Sequence, residues 1–142
     1  MTSVIVTSKQ NFQNTVSYGD DKSFAIDEPA SVGGDDTGPD PYTLLLAALG
    51  GCTSMTVSMY AKRQGWPLNQ VRVELSQERI HAKDCQTCES TGNVFIHQIN
   101  LSLKIEGDLT DEQRARLLEI AQKCPVKKVL TSEIIVKFNQ NE

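Results

Sequence analysis

Residues Asp40 to Gly65 decide the fold of this chain, and they read DPYTLLLAALGGCTSMTVSMYAKRQG. No Asp, Glu, Lys or Arg occurs from Pro41 through Ala61, and small or apolar side chains lie all round the helical repeat. Asp40 can cap an N-terminus, Pro41 suits the first helical turn, and Gly65 suits a left-handed closing residue. The stretch therefore predicts a long helix over residues 41–65 that is buried on most of its faces.

One face of this helix is predicted to be the core face, because its residues recur at intervals of three and four. Gly50 and Gly51 each cost about 1 kcal/mol of helix propensity relative to Ala, which indicates a close approach by another element. Cys52 follows them, so a thiol lies at the centre of the predicted core helix. The predicted face consists of Leu45, Ala48, Leu49, Cys52, Met55, Thr56 and Met59.

Length, charge and composition exclude several classes of protein. A chain of 142 residues fits one domain, and a net charge of −4 argues against nucleic acid as a partner. The polar residues of the long helix and the absence of a signal-peptide pattern predict no membrane-spanning segment. Four cysteines then predict a reducing, cytoplasmic location. A helix so long and apolar in so small a chain also predicts a homodimer.

The rest of the sequence predicts strands on both sides of the long helix and a second helix after it. Alternating apolar residues mark the strands, and Thr110 with Gln113 forms a capping-box pattern that opens the second helix. The predicted elements of this single domain, 1–142, are N-terminal strands at 3–28, a loop at 29–40, the central helix at 41–65, a strand pair at 69–106, a helix at 110–124 and a C-terminal strand at 133–138.

Two cysteines are candidates for chemistry, because each lies on the predicted inner face of a helix. Cys52 belongs to the long helix, and Cys124 shares a face with the apolar residues of the second. A helix start at Pro125, with Lys127 and Lys128 one turn on, favours a thiolate at Cys124. The pattern alone leaves open that both cysteines are small hydrophobic core residues.

A second cluster, His81-x3-Cys85-x2-Cys88, lies in the predicted loop between the paired strands. A CxxC motif can hold zinc or cycle as a dithiol. Structural zinc takes four ligands, and His97, the nearest fourth, shares strand parity with Phe95 and is predicted to be a core histidine. Three interpretations stay open: incidental thiols, an auxiliary redox pair, or a metal site of His81, Cys85 and Cys88. The loop position predicts that both cysteines are dispensable for the main activity.

Two segments carry a resemblance to a known family. The stretch GPDPYTLLLAALGGCTSMTVSMYA at 38–61 and KCPVKKVL at 123–130 resemble the OsmC/Ohr family of organic hydroperoxide resistance and osmotically inducible proteins. The likeness runs from Gly38 to Phe138, and the HAKDCxxC segment is similar to a feature of one OsmC-like subgroup. The resemblance implies an α/β (α+β) fold in which antiparallel sheets wrap two central helices in an interlocked homodimer.

The resemblance also implies a function in oxidative-stress defence, the thiol-dependent reduction of organic hydroperoxides. Cys52 matches the peroxidatic cysteine and Cys124 the resolving one. No bound cofactor is implied, and an external dithiol or lipoyl reductant is expected to reopen their disulfide. An apolar pocket of Leu45, Leu49 and Met55 is expected to favour alkyl hydroperoxides over hydrogen peroxide.

The chain departs from the family pattern at the residues that activate the thiolate. Tyr42 stands where the best-known members have a glutamate, and no arginine precedes Arg63, although those members use one from the N-terminal strands. Lys9 or Lys22 is a candidate substitute. These departures support an alternative function, a thiol-binding or sulfur-handling protein without peroxidase activity.

Overall fold

The computed structural model describes residues 2–85, 88 and 94–140 of the chain. The chain forms two compact units, Met1–Ala47 and Ala48–Glu142, which divide within the long helix. Their elements, in order, are β1 (Ile5–Ser8), β2 (Asn14–Tyr18), β3 (Lys22–Ile26), α1 (Pro41–Gln64), β4 (Leu68–His81), β5 (Phe95–Gly107), α2 (Asp111–Ala121) and α3 (Pro125–Leu130), with short 3-10 turns at Ala30–Val32 and Ala82–Asp84.

The N-terminal unit contains a three-stranded antiparallel sheet in the order β1-β2-β3. Its following loop is fixed by the buried carboxylate of Asp27, which accepts hydrogen bonds from the Thr37 hydroxyl at 2.7 Å and from the Glu28 amide at 2.8 Å. The Thr37 hydrogen bond lowers the pKa of Asp27 and outweighs the opposing effect of burial. A short side chain at the end of β3 therefore holds the loop that leads into α1.

Both ends of α1 follow the local chemistry that the sequence predicts. The Thr43 amide donates to the Asp40 carboxylate at 3.0 Å, so Asp40 caps the N-terminus. Gly65 has φ of 70°, and the Trp66 amide behind it donates to the Ala61 carbonyl at 2.9 Å. This left-handed closing residue ends the helix at Gln64. By length and composition alone α1 also resembles a membrane-spanning helix, as the core helices of many globular proteins do.

The second unit packs helices on a long antiparallel hairpin. Strands β4 and β5 pair from Leu68↔Gly107 to His81↔Phe95, with an irregularity near Leu68. The core joins Val57 and Ala61 of α1 to Leu117 and Ala121 of α2, with apolar residues of the hairpin packed against them. The predicted capping box begins α2: the Thr110 hydroxyl accepts from the Gln113 amide, and the Gln113 side chain accepts from the Thr110 amide. The fold is thus mixed α+β, with antiparallel sheets and helices.

The buried face of α1 differs from the predicted one. Leu49, Gly50, Thr53, Val57 and Ala61 are buried, at intervals of mostly four residues. Of the predicted face only Leu49 is among them, and Cys52 is half-buried. The exposed fractions of the predicted core residues Leu45, Met55 and Met59 are 37%, 65% and 59%. Both sides of α1 are small or apolar, so periodicity alone could not show which side the hairpin covers.

The predicted C-terminal strand at 133–138 is also wrong for the single chain. These residues have no regular secondary structure, and none of the described strands pairs with them. Their apolar side chains are exposed, Val136 at 86% and Phe138 at 94%. A strand exists only where a neighbour takes its backbone hydrogen bonds, which alternation of side chains cannot supply. The prediction of one domain over 1–142 stays a prediction.

Candidate functional site

The structure places Cys52 and Cys124 near each other, one on α1 and the other before α3. Cys52 lies on α1 and is half-buried, whereas Cys124 is wholly buried in the turn that joins α2 to α3. Pro125 starts α3 at its first position and holds Cys124 in a non-helical conformation, with φ of −57° and ψ of 126°. The Cys52 side chain is near enough to Cys124 to lower the pKa of its thiol. Both cysteines are free, so the pair is present as two thiols.

The surroundings of Cys124 favour its thiolate despite burial. Burial alone raises the pKa of the Cys124 thiol, because desolvation disfavours the charged form. Interactions with the Cys52 thiol, the Lys127 amide and the Thr53 hydroxyl, and more weakly with the Val126 amide, together hold that pKa below its ordinary value. No regular cap hydrogen bond forms at Cys124, so the amides of α3 act on the sulfur from a longer distance. The predicted thiolate-stabilising role of this helix start agrees with the lowered pKa.

Thr53 is a site residue that the sequence analysis missed. Its side chain is only 2% exposed, and its hydroxyl donates to the Leu49 carbonyl at 2.8 Å. The same hydroxyl lies near the Cys124 sulfur and lowers its pKa. A hydroxyl has one hydrogen and rotates freely, so Thr53 can turn its hydrogen to the sulfur when Cys124 ionises. Thr53 lies four residues after Leu49 and eight before Ala61, and this helical spacing could have placed it on the buried face.

A cavity of about 600 Å³ lies next to Thr53, which follows Cys52 in α1, and neither cysteine is among its lining residues. One side is apolar, from the inward residues of β5 and from α2. The other is polar and includes Lys127, whose ammonium group donates to the Gln122 side chain at 2.6 Å. Of the predicted pocket residues, Leu49 lines this cavity and the exposed Met55 does not. The lining residues are Leu49, Thr53, His97, Ile99, Leu101, Leu103, Leu118, Ala121, Gln122, Lys127, Leu130 and Thr131.

A model of the OsmC-like protein family matches residues 33–139, which include α1, both thiols and α3. The chain belongs to the OsmC-like family. No curated protein matches its sequence closely. The solved structures therefore give the nearest available comparison for the fold.

Three solved structures share this OsmC-like fold. An OsmC like protein from Mycoplasma pneumoniae is 16% identical with a TM-score of 0.69, over 92% of this chain and 86% of its own. An organic hydroperoxide resistance protein OsmC from Legionella pneumophila is 19% identical with a TM-score of 0.61, over 91% and 89%. The organic hydroperoxide resistance protein OhrB of Bacillus subtilis is 21% identical with a TM-score of 0.59, over 91% and 90%.

The residues that depart from the family pattern lie in the N-terminal unit of this OsmC-like protein. Tyr42 is 62% exposed in the first turn of α1. Lys9 follows β1 and Lys22 begins β3, and both are exposed. In the other unit, Lys127 is the cationic residue whose backbone interacts with Cys124 and whose side chain lines the cavity. The Lys127 ammonium group is held by the Gln122 side chain, so it is the backbone amide of Lys127 that acts on Cys124.

The second cysteine cluster forms a disulfide. Cys85 and Cys88 are bonded, with their Cα atoms 5.6 Å apart, and neither thiolate is then available to a metal. Among residues 2–85, 88 and 94–140, no three His, Cys, Asp or Glu side chains are grouped as a metal site requires. His97 is exposed and contacts Gln77 at 3.0 Å, so its prediction as a core histidine is wrong. Gln86 and Thr87, between the two cysteines in sequence, lie outside the described residues.

Proposed function

We propose that this OsmC-like protein reduces organic hydroperoxides through Cys52 and Cys124, in oxidative-stress defence in the cytoplasm. The observation that carries the proposal is the proximity of the two thiols, one half-buried and one buried with a lowered pKa. Two proteins of the same fold are named for organic hydroperoxide resistance. A pair of adjacent thiols is what peroxide reduction with internal disulfide formation requires.

The buried thiol does not replace the missing arginine in this proposal. Cys52, as the half-exposed member, attacks the peroxide, and its thiolate is the reactive form. The interaction with the Cys52 thiol lowers the pKa of Cys124, so the negative charge of the pair is favoured on the buried sulfur. Each unit by which a thiol pKa exceeds the ambient pH lowers the thiolate fraction about tenfold, roughly 1.4 kcal/mol. The proposal therefore expects slow turnover that rises with pH.

The reaction balances over two steps. The Cys52 thiolate attacks the terminal oxygen of ROOH, the O–O bond breaks, and the products are Cys52 sulfenic acid and, after protonation, the alcohol ROH. The Cys124 thiol then condenses with the sulfenic acid, which forms the Cys52–Cys124 disulfide and releases water. An external dithiol or lipoyl reductant reopens the disulfide by thiol–disulfide exchange and is itself oxidised to a disulfide.

The cavity next to Thr53 suits the organic part of such a substrate. Ile99, Leu101 and Leu103 form an apolar wall, while Lys127 and Thr131 line the opposite side. Burial of an alkyl group there removes apolar surface from water, which hydrogen peroxide cannot do. We expect the protein to prefer alkyl hydroperoxides to hydrogen peroxide. The sequence analysis gave the same expectation from Leu45, Leu49 and Met55, of which only Leu49 lines this cavity.

A homodimer is part of the proposal because the single chain leaves much apolar surface uncovered. Met55 and Met59 of α1 are more than half exposed, and so are Ile135, Val136 and Phe138 in the C-terminal segment. A second copy covering these residues would supply the strand neighbour that 133–138 lacks. Light scattering at micromolar concentration should show a dimer, and a stable monomer would remove the interlocked dimer from the proposal.

The deciding experiment is peroxide consumption with a dithiol reductant. Wild type should consume cumene hydroperoxide faster than hydrogen peroxide, and Cys52→Ser should be inactive. Without the reductant, Cys124→Ser should consume one equivalent of peroxide and stop as a sulfenic acid. Cys85→Ser is the matched control and should keep the rate. Equal rates for wild type and Cys52→Ser would contradict the proposal and favour the thiol-binding or sulfur-handling alternative, which Tyr42 supports.

A further inference from the structure

The disulfide between Cys85 and Cys88 lies at the far end of the β4–β5 hairpin. Pairing of the two strands runs without interruption from Gln70 up to His81↔Phe95, and the cysteines follow directly. The Leu75 side chain lies against Gly50 of α1, whereas His81 is six strand residues further on, about 20 Å at 3.3 Å per residue. The disulfide is therefore remote from the stretch of α1 that carries Cys52.

Ring contacts and backbone hydrogen bonds hold the end of the hairpin next to this disulfide. The Phe95 ring lies between the Arg79 guanidinium, 4.8 Å from its centroid, and the His81 ring, with centroids 5.4 Å apart. Ala82 is buried, and its amide donates to the Val94 carbonyl at 2.8 Å. The Cys85 amide then donates to the Ala82 carbonyl at 3.1 Å. The backbone of Cys85 is thus hydrogen-bonded to a buried residue at the end of the hairpin.

A structural role for this disulfide is small. A disulfide stabilises a protein mainly by restricting the unfolded chain, and the restriction grows with the length of the loop that it closes. Cys85 and Cys88 close a loop with only two residues between them. The two strands beside this loop are already joined by their own ladder of hydrogen bonds. The chemistry of a CxxC pair, which is typical of dithiol exchange, explains the bond better.

We propose that Cys85 and Cys88 form a second thiol–disulfide exchange site, which reacts with external dithiols independently of Cys52 and Cys124. Both cysteines are half-buried and neither is buried in the core. A thiolate of the dithiol attacks one sulfur and forms a mixed disulfide, and the other cysteine leaves as a thiolate. The second thiol of the reagent then displaces the remaining cysteine. The site gains two electrons and two protons, and the dithiol becomes a cyclic disulfide.

The test uses the full chain with the first pair removed. The Cys52→Ser/Cys124→Ser variant is equilibrated in buffers with graded ratios of reduced to oxidised dithiothreitol or glutathione, and free thiols are alkylated and counted by mass. Two thiols per chain should appear together under native conditions and disappear on reoxidation. The Cys85→Ser/Cys88→Ser variant should show no such transition.

Two results would overturn the proposal. One is a disulfide that stays closed in every native redox buffer and opens only when urea unfolds the chain, since that is the behaviour of a structural bond. The other is a loss of 10 °C or more in the melting temperature of Cys85→Ser/Cys88→Ser, which would assign the bond to stability. A melting temperature within a few degrees of wild type is expected. Phe95→Ala offers a second check, because loss of the ring contacts next to the disulfide should change the midpoint of the transition while both thiols still appear.

Discussion

Replacement of Gly50 and of Gly51 by alanine should have opposite effects on stability. Alanine is favoured over glycine in a helix interior by about 1 kcal/mol, and both positions lie inside α1. A Cβ at Gly51 meets no heavy atom within 4 Å, so Gly51→Ala should raise the free energy of unfolding by most of that amount. A Cβ at Gly50 would lie 2.7 Å from Cδ1 of Leu75 and 4.0 Å from Cβ of Val73.

The Leu75 methyl group must therefore move to accept Gly50→Ala. Overpacking of this kind costs about 1–3 kcal/mol, and the end of a leucine side chain yields more easily than backbone. After subtraction of the helix gain, Gly50→Ala should be destabilised by about 0–2 kcal/mol. The two variants should then differ by about 1–3 kcal/mol, or about 4 °C in melting temperature for each kcal/mol.

Thermal and urea unfolding of both variants, with wild type beside them, measure this difference. Leu75→Ala removes the Cδ1 atom that a Cβ at Gly50 would overlap. Gly50→Ala should therefore raise the free energy of unfolding when it is made in the Leu75→Ala variant. Equal stabilisation by Gly50→Ala and Gly51→Ala would refute the close crossing of α1 and β4. A destabilised Gly51→Ala would mean that something outside the chain lies against it, and light scattering of the same samples shows whether a second copy does.

Two further predictions follow from side-chain hydrogen bonds. Thr53→Val removes a hydroxyl that lowers the Cys124 pKa, so the thiolate absorbance of the Cys52–Cys124 pair should develop at higher pH and peroxide reduction at neutral pH should slow. Thr56→Val is the control, because its hydroxyl donates to the Cys52 carbonyl instead, and an equal shift in both variants would contradict the role of Thr53. Asp27→Asn should lower stability at pH 7, because the folded pKa of Asp27 lies below its unfolded value and its contribution is complete above the unfolded pKa. The loss should shrink as pH falls through the folded pKa, and a difference in urea unfolding that does not change down to pH 3 would contradict this.

Local chemistry predicted those elements whose ends are decided by a few neighbouring residues. Asp40 and Gly65 bound α1, and Thr110 opens α2, because caps satisfy backbone groups within one turn. The β4–β5 hairpin follows from alternation over long strands. Contacts between distant residues were not predictable in this way. Arg114 of α2, for example, donates to the Ile105 and Gly107 carbonyls at 2.7 and 2.6 Å.

Two consecutive residues of α1 belong to the site, and the sequence predicted Cys52 but not Thr53. Thr53 points to the side of α1 that the hairpin and α2 cover, and there it meets the buried Cys124. Cys52, one residue earlier, lies at the border of the covered side, with the exposed Met55 and Met59 beyond it. The cavity that Thr53 lines lies on the covered side, whereas a second copy of the chain can approach Cys52 from the uncovered side. A second copy that brings a cation to Cys52 must come from that side, so the oligomeric state and the rate of peroxide reduction should change together when the exposed Met55 is replaced.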